Sequence, residues 1–132
     1  MYLLDTNICI YILNNAPICV FEKLKEFDEK DIFISSISVA ELFYGASKSK
    51  YKEINLQRVR KFLEMYNIIN FGAKEAKFYG DLLYYLEKNR QKIGYMDTLI
   101  SATALANDLI IVTNNEKEFV RVPKLKIENW TK

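Results

Sequence analysis

Residues 1–10 read MYLLDTNICI, and the break after Leu4 decides the fold. Tyr2, Leu3 and Leu4 make a short, fully apolar run of the kind found in strands buried on both faces. Asp5, Thr6 and Asn7 follow without a spacer. A carboxylate at the end of a buried strand has two explanations. It caps the next helix, since Asp is a good N-cap, or it serves a site at the sheet's edge.

The rest of the chain repeats this grammar. Apolar runs at Ile32–Ile34, Asn67–Phe71 and Leu109–Val112 are expected strands, with Leu125–Ile127 as a fifth at the edge. Helical spacing covers residues 7–14, 18–30, 38–46, 51–66, 73–92 and 96–106. Ile54, Val59, Phe62 and Leu63 should face inward from one amphipathic helix, and Phe78, Leu82, Leu83 and Leu86 from another. Trp130 is expected to staple the terminus to the core. Short apolar strands alternating with helices predict an α/β fold with a parallel sheet covered on both faces. In such sheets, ligands bind beyond the carboxyl ends of the strands.

Composition narrows the chemistry. A chain of 132 residues, half of it hydrophobic, suits one domain with a sizeable core. Its 19 Lys and Arg against 17 Asp and Glu give a net charge of +2, so any basic surface is local. Cys9 and Cys19 form no C-x-x-C pattern and are read as reduced core residues. There is no secretory leader pattern and no apolar run of about 18 residues; a cytoplasmic protein that does not cross a membrane is expected. Histidine is absent. That excludes the Ser-His-Asp triad, the H-E-x-x-H zinc site and the histidine acid–base pair.

Carboxylates remain, and three fall where the strand–helix pattern brings them to one edge. Asp5 ends the first strand. Glu41 lies in Ser38-Val39-Ala40-Glu41, whose letters also spell a capping box with Ser38 at the N-cap. Asp97 opens the helix that leads into the fourth strand, where an acid also interacts favourably with the helix dipole. Thr113-Asn114-Asn115 ends that strand with polar oxygens, or simply turns the chain. Two carboxylates about 4 Å apart repel by roughly 4 kcal/mol at an effective dielectric near 20. A cation offsets that repulsion, and oxygen ligands without His or thiolate select Mg²⁺ or Mn²⁺.

These residues resemble the PIN domain, and more closely the VapC-type toxins: Asp5-Thr6-Asn7 after an opening strand, Ser38-x-x-Glu41, Asp97 heading an Ala-rich helix, Val112-Thr113-Asn114-Asn115, and a tail with Glu118-Phe119, Arg121-Val122-Pro123 and Glu128-Asn129-Trp130. The resemblance spans residues 1–132 and implies a single PIN-like three-layer domain. It implies a Mg²⁺- or Mn²⁺-dependent endoribonuclease with Asp5, Glu41 and Asp97 as its catalytic and metal-binding acids. Thr6, Asn7 and Thr113 would support them. A fourth acid is common after the last core strand in PIN domains; here Asn115 stands there and Glu118 follows, so one tight metal is expected, aided by Asn115 through its carbonyl oxygen or a bound water, with any second metal arriving weakly with RNA. Further implications are a VapB-type antitoxin that covers the acids, a homodimer, DNA contact only through the antitoxin, and RNA cleavage in a tRNA anticodon region. Lys48, Lys50, Lys52 and Arg58 are candidate contacts to the RNA backbone. Two other readings stay open: a PIN-like module that grips RNA or a partner without cutting, and another Mg²⁺ phosphohydrolase, although no Gly-rich phosphate loop is present.

Overall fold

Side chains alternate across a strand, and β1 (Tyr2–Leu4) uses both of its faces. Leu4 enters one apolar cluster with Ile8, Ile32, Ile34, Val59 and Phe62. Leu3 enters another with Ile100, Ile111 and Phe119. A strand that must bury both faces belongs at the centre of a sheet. The computed structural model, which describes residues 1–132, places it there. The sheet has five strands in the order β3-β2-β1-β4-β5, all parallel, with β2 (Ile32–Ser35), β3 (Asn67–Ile69), β4 (Ile110–Val112) and β5 (Ile127–Glu128). Register is tight at the centre: Leu4 lies beside Ile34 on one side and Val112 on the other.

Seven helices cover the sheet. On the Leu4 face, the core is completed from α1 (Thr6–Leu13), α2 (Ile18–Leu24), α3 (Ser36–Ser47) and α4 (Lys52–Glu64). On the Leu3 face it is completed from α6 (Tyr95–Ala106) and the short α7 (Glu116–Phe119), with α5 (Ala73–Lys88) packed against α6. The three-layer arrangement is therefore the one expected. Glu75 ties α5 to α6: it accepts the Gly72 N–H at 3.0 Å and the Asn107 side-chain amide at 2.9 Å. Trp130 is buried, stacks on Phe27 with ring centres 5.4 Å apart and meets Tyr2 at 5.6 Å, as a staple should. No helix is long and apolar enough to cross a membrane.

Several local expectations need correction. The stretch 18–30 is not one helix: α2 stops at Leu24 and a 3-10 turn covers Glu29–Asp31, where Asp28 caps the turn by accepting the Lys30 N–H. The third strand ends at Ile69 and the fifth shifts to Ile127–Glu128. Ile54 and Phe78 are exposed (63% and 40%), because each helix needs a narrower apolar stripe than its sequence offers. The capping box at Ser38 is also absent. Helix α3 begins two residues earlier, capped by Ser35, whose hydroxyl accepts the Ser38 N–H at 3.1 Å. In the run Ser35-Ser36-Ile37-Ser38 any of the hydroxyls suits a cap; Ser35 takes the role because it is the last residue of β2.

Leu3→Ala should destabilise the protein by about 2–5 kcal/mol, the range for emptying a fully packed core site. Ile54→Ala should change stability by less than about 0.5 kcal/mol, as exposed sites do. Urea denaturation of the two variants checks both.

Candidate active site

The carboxyl ends of β1, β2 and β4 open onto a cleft of about 380 Å³ lined by Asp5, Thr6, Asn7, Ile10, Glu41, Tyr44, Gly45, Lys48 and Asp97. Three elements distant in sequence deliver the acids. Asp5 is the first residue beyond β1. Glu41 lies in the second turn of α3, which leaves β2 directly. Asp97 is in the first turn of α6, whose Gly94 carbonyl accepts both the backbone N–H and the hydroxyl of Thr98 at 2.9 Å.

Asp5 is only 4% exposed and is held on both oxygens. One accepts the Ile8 N–H at 2.9 Å, so the residue is the N-cap of α1; the other accepts the Thr113 hydroxyl at 2.5 Å. The capping and site readings of Asp5 are thus compatible in one geometry. Burial pushes its carboxyl above the ordinary range and the charge of Glu41 adds to this, while the bonds from Thr113 and Ile8 act in the opposite direction. Glu41 accepts the Thr6 hydroxyl at 2.6 Å, and Thr6 also lies 2.9 Å from the Ser38 hydroxyl. Thr113 is itself buried and accepts the Asn115 N–H at 2.9 Å.

Asp97 reports the electrostatics most strongly. Its carboxyl is pushed up to about 7 by burial, then by a hydrogen bond with Glu118, and then by the charges of Glu118, Asp5 and Glu41. Near neutral pH, Asp97 is therefore partly protonated beside Glu118. The direction of Glu118 was not legible in the sequence; Phe119, fully buried beneath the sheet, fixes the short α7 so that Glu118 meets Asp97. Asn115 turns its amide N–H to Glu118 at 3.1 Å, so it orients that acid instead of offering its own carbonyl.

The donor set is all oxygen and is crowded with negative charge, which fits a hard divalent cation. No three of the acids yet converge as a ready coordination cluster. Each is turned to a neighbour: Asp5 to Thr113 and Ile8, Glu41 to Thr6, and Glu118 to Asn115 and Asp97. A cation there would displace the proton that Asp97 carries near neutral pH.

Of the four basic candidates, only Lys48 lines the cleft. Lys50 stands against the Tyr51 ring, 5.6 Å from its centre, and Lys52 opens α4. Arg58 lines an adjoining groove of about 240 Å³ between α1, α3 and α4, where it donates to Asn55 at 3.1 Å and to the Leu13 carbonyl. Tyr44 was missed in the sequence reading. Its signal was there: Glu41, Tyr44 and Lys48 are spaced to share one helical face.

The PIN domain family model matches residues 2–125 of the chain. The chain belongs to the PIN domain family. The PIN domain here is 46% identical to Ribonuclease VapC2 of Rickettsia felis, over 100% of this chain and 99% of that protein. It is 36% identical to the tRNA(fMet)-specific endonuclease VapC of Shigella flexneri over 98% of each. Its backbone matches a chain in the crystal structure of VapBC2 from Rickettsia felis bound to a DNA fragment from their promoter, with TM-score 0.91, 45% identity and 98% of both chains covered.

A raised carboxyl makes a definite prediction for the metal-free PIN domain. The folded state holds the Asp97 proton more tightly than the unfolded chain does, so the stability from this group is present below the ordinary Asp range and is lost as pH rises through about 7. Asp97→Asn removes that loss. In EDTA, its melting temperature should exceed that of wild type by a few degrees at pH of about 8, with the gap closing towards a pH of about 4. Calorimetry across that range is the check.

Proposed function

We propose that this PIN domain is a VapC-type toxin, a metal-dependent endoribonuclease restrained by a VapB-type antitoxin. The observation that carries the reading is one cleft lined by Asp5, Glu41 and Asp97 from three elements, with Glu118 beside Asp97. The names of the relatives agree with it. The intact acid set favours cutting over a module that merely grips RNA. As a soluble RNA-cutting domain it would act in the cytoplasm, on RNA that includes tRNA.

Asp5, Glu41 and Asp97, with Glu118 as the fourth acid, would hold Mg²⁺ or Mn²⁺. Bound there, such an ion supplies a Lewis acid that makes water a nucleophile near neutral pH and offsets charge on the leaving oxygen. The chain's own groups do the rest. Thr113 and the Ile8 N–H fix the Asp5 carboxylate in its rotamer. Thr6 does the same for Glu41. Asp97 would have to give up its proton to hold the cation, so binding would strengthen as pH rises through about 7. Asn115 keeps Glu118 aimed inward. With no histidine to relay protons to and from a 2′-hydroxyl, the reading favours in-line attack by water, which loses a proton to solvent as the P–O3′ bond breaks and the 3′ oxygen takes one up.

The adjoining apolar groove between α1, α3 and α4 shares Ile10, Glu41 and Gly45 with the cleft. It suits the tail of an antitoxin, which would set a basic side chain among the acids; a guanidinium can stand in for the cation. A homodimer, with DNA reached only through the antitoxin, completes the proposed assembly.

The test is incubation of antitoxin-free protein with total RNA, with and without Mg²⁺, followed by end mapping. Products should carry 5′-phosphate and 3′-hydroxyl ends; a 2′,3′-cyclic phosphate, or full activity in excess EDTA, would refute the mechanism. Asp5→Asn, Glu41→Gln and Asp97→Asn should each reduce cleavage by at least about a hundredfold while the fold survives, because an oriented ligand is lost. Glu118→Gln should weaken Mg²⁺ binding in calorimetric titration; an unchanged affinity would remove Glu118 from the ligand set.

A further inference from the structure

The cleft continues past the acids along one face of α3. Glu41 is followed at helical spacing by Tyr44, Gly45 and Lys48, all of which line it. Tyr44 is large, aromatic and 66% exposed, and it lies outside the apolar core. The Lys48 ammonium lies 4.7 Å from the centre of its ring. A Cβ added at Gly45 would meet nothing within 4 Å, so the space beside the ring is open. Ile10, 39% exposed, forms the facing wall from α1 together with Asn7.

An exposed aromatic ring beside a lysine, in a groove that begins at a phosphodiester-cleaving centre, has a specific chemical complement. A nucleobase stacks on an aromatic face without regard to sequence, and an ammonium takes the adjoining phosphate. Lys48 stands over the Tyr44 ring, and the exposure of that ring leaves area for a base. The rise of an α-helix is about 1.5 Å per residue, so Tyr44 stands one turn from Glu41 and Lys48 two turns. That is the reach of one nucleotide and its outer phosphate.

We infer that Tyr44 and Lys48 form a nucleotide subsite beside the scissile bond: the base of one unpaired nucleotide stacks on Tyr44 against the Ile10 wall, and its outer phosphate pairs with Lys48. This rests on the ribonuclease reading and narrows it. A base stacked on a side chain is not stacked in a helix, so the site takes single-stranded or looped RNA and rejects a continuous duplex. Neither residue is a ligand for the cation. Their loss weakens substrate capture and leaves the chemistry at the acids intact.

The test compares wild type, Tyr44→Ala, Tyr44→Phe, Tyr44→Trp and Lys48→Gln on a mapped substrate. RNA oligonucleotides carrying the cleavage site are used intact and with the base removed, one position at a time, near the cut. Tyr44→Ala should raise KM about tenfold, the scale of one lost stacking contact, with kcat little changed. Tyr44→Phe and Tyr44→Trp should behave like wild type. The Tyr44→Ala defect should vanish on the one substrate lacking the stacked base. Lys48→Gln should reduce the slope of log affinity against log salt by about 0.7, the increment for one phosphate on a single strand. Annealing a complement across the site should abolish cleavage. If wild type cleaves while Tyr44→Ala cleaves equally well, or its defect persists on every base-deleted substrate, the subsite is wrong and the ribonuclease reading stands. If Tyr44→Ala weakens only antitoxin binding, the face belongs to the antitoxin and the inference is overturned. If wild type cleaves no RNA, both fall together.

Discussion

Repulsion among four carboxylates is the constraint around which this fold is organised. Asp5, Glu41 and Asp97, from the end of β1, α3 and α6, line one cleft at the carboxyl edge of the sheet, and Glu118 on α7 stands beside Asp97. Left alone, such groups push each other apart or take up protons. The protein permits some of the latter, at Asp97. It offsets the former by holding Asp5, Glu41 and Glu118 in hydrogen bonds. Asp5 caps α1, and Thr113 bridges β4 to it. Glu41 is clasped by Thr6. Glu118 rides on a helix anchored by buried Phe119.

This overlap of structural and chemical roles explains what the sequence revealed. Asp5 was legible because a buried three-residue strand has few reasons to end on an acid, and cap and ligand lead to the same placement. Asp97 was legible as a first-turn acid on a helix antiparallel to the strands. Glu41 was assigned correctly to the edge on a mistaken local argument: the hydroxyl run before it offered more than one cap, and only the end of β2 selects Ser35. The parallel sheet followed from apolar runs too short and too uniform for anything else. Ile54 and Phe78 were misplaced because apolar spacing states which face a helix turns inward, not how wide the covering layer is.

The remaining gaps have a common physical cause. Where Glu118 points depends on a four-residue helix whose orientation is set by a single buried side chain packing against β1, β4 and α6. No local pattern encodes that. Which of the lysines faces the cleft likewise depends on how α3 rolls over the sheet. Tyr44 was hidden for a related reason: an aromatic residue in a helical stripe normally signals core, and only tertiary context shows this one standing in solvent.

The position of β1 has a kinetic side. The first strand made is the central one, and its neighbour β4 lies at residues 110–112. The Asp5 N–H bonds to the Val112 carbonyl, and the Asp5 side chain to Thr113. Pairings so remote in sequence slow folding, and chains emerge from the ribosome at about 5–20 residues per second. Until residues 110–118 have been made, Asp5 has no Thr113, Asp97 has no Glu118, and the central strand has one bare edge. The cleft therefore lacks its Thr113 clasp and the Glu118 neighbour of Asp97 until β4 and α7 have docked, so the site is completed late in folding.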